Sequence, residues 1–150
     1  MQIINFDQDG FLIGKTPILL SKTMVESTFC FNPHRLTLWE QYVNFEAELL
    51  EILDNTVEKI GIDGSFIAKK SQPNDIDILL FLPFDTYELN EAIITNLIQK
   101  YTQNLDIYIV KYYPKAHKYY IRTQFDTTEW LYLFSKKRNA KGSKTFVQLQ

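Results

Sequence analysis

Asp75-Ile76-Asp77 is where this 150-residue sequence most plainly offers chemistry. Carboxylates at i and i+2 on a strand share one face, because side chains alternate with a period of two. The segment carrying them runs almost unbroken and apolar from Ile76 to Leu82 and stops at Pro83, so it reads as a strand buried on both faces or nearly so. Charged groups there are costly unless compensated, and two bare carboxylates side by side repel. A pair of divalent cations would neutralise both, and oxygen ligands of this kind favour Mg²⁺ or Mn²⁺. Asp106 lies in the next alternating segment, Leu105 to Val110; if the two strands are neighbours, it completes a triad. Taken alone, Asp-x-Asp is also what a solvated turn offers.

Gly64-Ser65 supplies the other half of a site. A Gly-Ser turn after a strand exposes backbone N–H groups and a hydroxyl that can hold a phosphate oxygen. Glycine there permits a close approach or a positive φ. Lys69 and Lys70 can place positive point charges beside the turn. A phosphate cradle with paired carboxylates is equipment for phosphoryl or nucleotidyl transfer.

The elements that must position these groups can be read from periodicity. Residues 3–20 read as short extended segments with turns at Asp9-Gly10 and Gly14. Asn32-Pro33 looks like a helix start, followed by Leu38, Tyr42, Phe45, Leu49 and Ile52 or Leu53 at helical spacing. Lys59 to Ile62 reads as a short strand entering Asp63-Gly64-Ser65. Asp85 and Glu88 suggest a capping box opening a helix with Leu89, Ile93, Leu97 and Ile98 on its packed side. Beyond the strand at Leu105–Val110, Tyr119 to Gln124 suggests another strand. Thr127 or Thr128 would then cap a short helix bearing Trp130, Leu131 and Phe134. After the basic turn KKRNAKGSK, the final TFVQL suits an edge strand. The expected fold is a mixed α+β domain, a β-sheet with helices packed against it. It spans residues 1–150 as one domain: an extended lead-in (1–32), a core (33–110) and a basic C-terminal extension (111–150).

Composition narrows the class. Hydrophobic residues make up 45% and charged residues 23%, an ordinary globular balance that excludes disordered and fibrous chains. Cys30 is the only cysteine, so no intrachain disulfide or thiolate-rich zinc site can form, and it reads as a small hydrophobe. Nothing resembles a signal peptide or a membrane span, so a cytoplasmic location is expected. Residues 1–110 hold 7 Lys/Arg against 16 Asp/Glu, net −9, whereas residues 111–150 hold 9 against 2, net +7. That asymmetry suits an anion, an acidic partner or a homodimer contact, and also a merely solvated basic face. His34 and His117 read as bland, as do Trp39 and Trp130. The tyrosines interleaved with lysines between Lys111 and Tyr120 could stack bases, or simply pack.

The stretch GSFIAKKSQPNDIDILLFL resembles the signature of the DNA polymerase β-like nucleotidyltransferase superfamily. Gly-Ser is followed by nine residues, then Asp-x-Asp on a strand, and a later strand carries a third Asp. The resemblance covers residues 60–110 and implies a nucleotidyltransferase-like sheet. It implies that Asp75, Asp77 and Asp106 are catalytic and bind metal, with Asp106 helping to deprotonate the acceptor. Gly64 and Ser65 would contact the phosphates of an NTP, with Lys69 and Lys70 beside them. The small size resembles the minimal nucleotidyltransferases of bacterial toxin–antitoxin and defence loci. A second resemblance, through Asp9-Gly10, Phe31 to Arg35 and Lys141-Gly142, is to an uncharacterised family of small bacterial proteins with this core. Two positions depart from the superfamily pattern: Asp63 stands where an apolar residue is usual, and Lys69-Lys70 replace an Arg-Gly.

The leading expectation is therefore an Mg²⁺-dependent transferase moving an NMP from an NTP to a hydroxyl of a partner protein or of an RNA such as tRNA. One alternative is an inactive protein-binding module, antitoxin-like, gripping a helical toxin. Another is an RNA-binding regulator using the basic extension.

Overall fold

The computed structural model describes residues 3–138 and 141–150. Among the described residues there are two sheets: a small antiparallel pair, β1 (Asn5–Phe6) with β2 (Leu12–Ile13), and a five-stranded mixed sheet. The large sheet has the order β3 (Ile18–Leu20), β7 (Val147–Leu149), β4 (Lys59–Asp63), β5 (Ile76–Pro83), β6 (Leu105–Tyr112). β5 runs antiparallel to β4 and parallel to β6, with α3 (Phe84–Tyr101) as the crossover. This is a mixed α+β fold with helices packed on a multi-stranded sheet.

α2 (Pro33–Ile52) is the principal packing helix and starts where the sequence indicates. Asn32 accepts the Arg35 N–H at 2.9 Å, and Pro33 takes the first helical position. Its inward face carries Leu38, Trp39, Tyr42, Phe45 and Leu49, all at most 2% exposed. β5 is buried from Ile76 to Leu80, as its apolar run requires.

Several expectations are corrected. The lead-in is not wholly extended: Lys22–Phe29 forms α1, capped by Ser21, whose Oγ accepts the Met24 N–H at 3.2 Å. No capping box opens α3; Asp85 instead accepts from the adjacent Thr86 N–H. α3 is rotated from the expected face, burying Ile94, Leu97 and Tyr101 while Leu89 and Ile93 face solvent. Tyr119–Gln124 is not a strand, because α4 (Tyr120–Phe134) begins there and includes Thr127 and Thr128 in its interior. The β-branched and aromatic run is overridden by Thr123, whose hydroxyl accepts the Tyr113 N–H (2.8 Å) and donates to the Lys111 carbonyl (3.1 Å). Finally, TFVQL provides an interior strand. β7 is paired on both sides, parallel to β3 and antiparallel to β4. The basic turn before it runs antiparallel through Lys136 and Ser143, and its Asn139 and Ala140 lie outside the described residues.

Candidate active site

The strand register gathers the aspartates. Asp63, the last residue of β4, lies opposite Asp77 of β5, and Asp77 is in turn opposite Asp106 of β6. Residues directly opposite in a sheet share a face, so three carboxylates form a row across three adjacent strands at one end of the sheet. Asp75, just before β5, lies close enough to Asp77 and Asp106 for their charges to act on one another. Asp75, Asp77 and Asp106 were expected together; Asp63 is the added fourth.

Gly64 explains how the row fits. It has φ +77°, and a Cβ there would lie 1.7 Å from Asp77 Oδ2. Only glycine lets the Asp77 carboxylate rest against the turn. The turn, Gly64–Ile67, is a single 3₁₀ turn following β4.

α2 holds this turn and the loop after it. Arg35 is fully buried, and its guanidinium donates to the carbonyls of Phe66 (2.6 and 2.7 Å), Ala68 (2.5 Å) and Ser65 (3.3 Å). Its guanidinium carbon sits 4.3 Å from the Phe31 ring centroid. His34 Nε2 donates to the Pro73 carbonyl at 2.6 Å, and Asn32 Nδ2 to that of Ser71 at 2.8 Å. Asn32, His34 and Arg35 thus fasten the segment between the Gly-Ser turn and Asp75. His34 is a structural residue, as expected; Arg35 was not foreseen as part of the site.

Crowding and burial set the electrostatics. Burial first, then Asp75 and Asp63 nearby, push the Asp77 carboxyl up to about 6. Burial and then Asp106 also raise Asp75. Asp63 is raised by burial, opposed by Lys144, which donates to Asp63 and also to the Phe134 carbonyl at 2.8 Å. Both side chains of this ion pair are only 9% exposed. The charge that Asp63 adds beside the turn is therefore matched from the C-terminal segment. Arg138 adds positive potential felt by Asp63, Asp75 and Asp77. Tyr108, two residues after Asp106 and on its face, donates its hydroxyl to Asp106 Oδ2. Burial and that bond push the phenol up to about 12, so it stays a donor.

These groups line a cleft of about 950 Å³. Its floor holds the four aspartates and Gly64-Ser65; Lys69, Lys70 and Arg138 stand around it. Lys69 is also tied to the lead-in, its N–H donating to the Gly10 carbonyl at 2.9 Å. The basic extension is thus part of the cleft, which its sequence position did not reveal. Lys137 has another partner, lying 2.6 Å from Asp7. Among the described residues no group of three or more His, Cys, Asp or Glu side chains is placed so that it could hold a metal ion. Two of the aspartates are already engaged, Asp63 by Lys144 and Asp106 by Tyr108.

Tyr112–Tyr120 has a packing role: Tyr113 is buried, and His117 lies 4.7 Å from Phe84 and 4.9 Å from Tyr113, centroid to centroid. Among the described residues no helix is long and apolar enough to cross a membrane.

Over residues 4–150 the chain matches the family described as "Family of unknown function (DUF6932)", and it belongs to that family. No curated protein and no solved structure gives a significant match.

Proposed function

We propose that this member of the DUF6932 family is a divalent-cation-dependent nucleotidyltransferase, moving an NMP from an NTP to a hydroxyl of a protein or an RNA such as tRNA. The sheet would then be of the nucleotidyltransferase-like kind. One observation carries the reading: Asp77 and Asp106 lie opposite each other at one end of the sheet with Asp75 close by, and Asp77 rests against the Gly64-Ser65 turn. An all-carboxylate donor set suits a hard cation, and burial first, then the neighbouring aspartates, raise the Asp77 carboxyl, a cost that a bound cation would offset. Asp75, Asp77 and Asp106 would hold Mg²⁺ or Mn²⁺, which when bound supplies charge neutralisation and polarisation of the phosphate under attack.

The chain's own residues divide the remaining work. The Gly64-Ser65 turn, fastened by Arg35, would receive the terminal phosphates through its N–H groups and the Ser65 hydroxyl. Lys69, Lys70 and Arg138 would balance the polyphosphate charge. Asp106, steadied by Tyr108, would accept the acceptor hydroxyl's proton. The sequence feature favouring an inactive binding module was Asp63 beside the turn, and Lys144 answers that charge. A toxin–antitoxin or phage-defence setting is the biological context that goes with this proposal.

The test is incubation with each α-³²P-labelled NTP, Mg²⁺, total tRNA and cellular proteins. Label should pass to tRNA or to a protein, and Asp77→Asn should abolish the transfer. Transfer that persists undiminished in Asp77→Asn would contradict the assignment.

A further inference from the structure

We infer that the cleft contains a nucleobase subsite, in which the base of the triphosphate packs against Trp130 beside Tyr108. This rests on the nucleotidyl-transfer reading of the same cleft and adds where the base is held. Besides the aspartates, the Gly-Ser turn and the cations, the lining of the cleft holds an apolar wall of Trp130, Leu133 and Phe134 from α4 and Tyr108 from β6. Phe134 is buried at 4% exposure, whereas Trp130 is only partly covered and Leu133 is 47% exposed. The Trp130 and Tyr108 rings lie 4.6 Å apart, and the Tyr108 hydroxyl is bonded to Asp106. The apolar wall therefore begins where the carboxylate row ends.

A nucleoside triphosphate has the same polarity, a polyanion at one end and a flat aromatic ring at the other. Stacking on an aromatic side chain is sequence-tolerant, because every base presents a π-face. The wall offers ring faces and aliphatic carbon, so the four NTPs should bind with similar affinity. Sequence reading assigned Trp130 to packing, which its contacts with Tyr108 and Phe134 also satisfy; its position on the cleft is what adds a role.

The chain carries two tryptophans, and Trp39 is 1% exposed, so emission changes on binding report chiefly on Trp130. Calorimetry would compare each NTP with inorganic tripolyphosphate, both with Mg²⁺, while tryptophan emission is recorded. NTPs should bind more tightly than tripolyphosphate and quench the emission. Trp130→Leu, with its melting temperature checked, should weaken NTP binding about tenfold and leave tripolyphosphate binding unchanged. Equal binding of the two ligands with unmoved emission would overturn the subsite alone. Equal weakening of both by Trp130→Leu would do the same, marking the residue as structural. If neither ligand binds, the transfer reading falls and takes the subsite with it.

Discussion

Gly64 and Asp77 are a matched pair, since the carboxylate occupies the space that a side chain at 64 would need. Gly64→Ala should lower stability by about 2 kcal/mol or more, from the positive φ and from displacing Asp77. In an Asp77→Ala background the same substitution should cost about 1 kcal/mol less, because the clash is gone. Denaturant melts of the four proteins measure this; an equal loss in both backgrounds would mean that the contact is not what costs. Asp77 also predicts a pH dependence. Its carboxyl is raised from 3.8 to about 6 in the folded state, so only well below pH 4 is it protonated in both states. As pH rises from about 4 to 6 the unfolded chain ionises first, and the cation-free protein loses up to about 3 kcal/mol. Asp75, raised likewise, adds a loss of the same sign. Asp77→Asn should flatten that decline in melts run from pH 4 to 7.

At the scale of elements, the N-terminus of α2 acts as a clamp on the loop before β5. Among the described residues Arg35 meets no carboxylate; its terminal nitrogens donate to backbone carbonyls and the guanidinium lies over the Phe31 ring, while Nε is left without a partner. Arg35→Met should cost about 3 kcal/mol, since several charge-assisted hydrogen bonds are lost inside a dry site. Proteolysis should then cut between residues 65 and 75; protection as complete as in the native protein would show that the loop is held otherwise. Much of this level was legible. α2, β4, β5 and β6 follow from an N-cap with proline, from apolar periodicity and from the Asp-x-Asp run. Their register places Asp77 beside Asp106, as the alternation in Leu105–Val110 implied. What failed did so for tertiary reasons. α3 turns Ile94 rather than Ile93 inward, and Tyr120–Gln124 is helical because Thr123 bonds the end of β6. Tyr108 was recoverable from the period of two, whereas Arg35 and Lys144 depend on contacts across 30 and 81 positions.

In the whole molecule, the end of the basic extension is built into the sheet. β7 fills the gap between β3 and β4, and the chain leading to it carries Lys144 onto Asp63. Lys144→Met would leave a buried carboxylate without its partner and should cost about 3–5 kcal/mol. Adding Asp63→Asn should recover most of that loss in thermal melts. Absence of recovery would mean that Lys144 matters through packing alone. The charge division of the sequence is thereby resolved into a cleft with an acidic floor and basic surroundings, suited to a polyanion brought with cations. On the proposed function, the aspartate row takes a cation together with a triphosphate. It is tested most directly by calorimetric titration of a non-hydrolysable NTP analogue into the native protein and into Asp77→Asn, each with and without Mg²⁺. Binding by the native protein should require Mg²⁺, and Asp77→Asn should lose at least tenfold in affinity with no loss of cation-free stability. Binding that is indifferent to Mg²⁺ and to Asp77→Asn, or no binding at millimolar analogue, would contradict it.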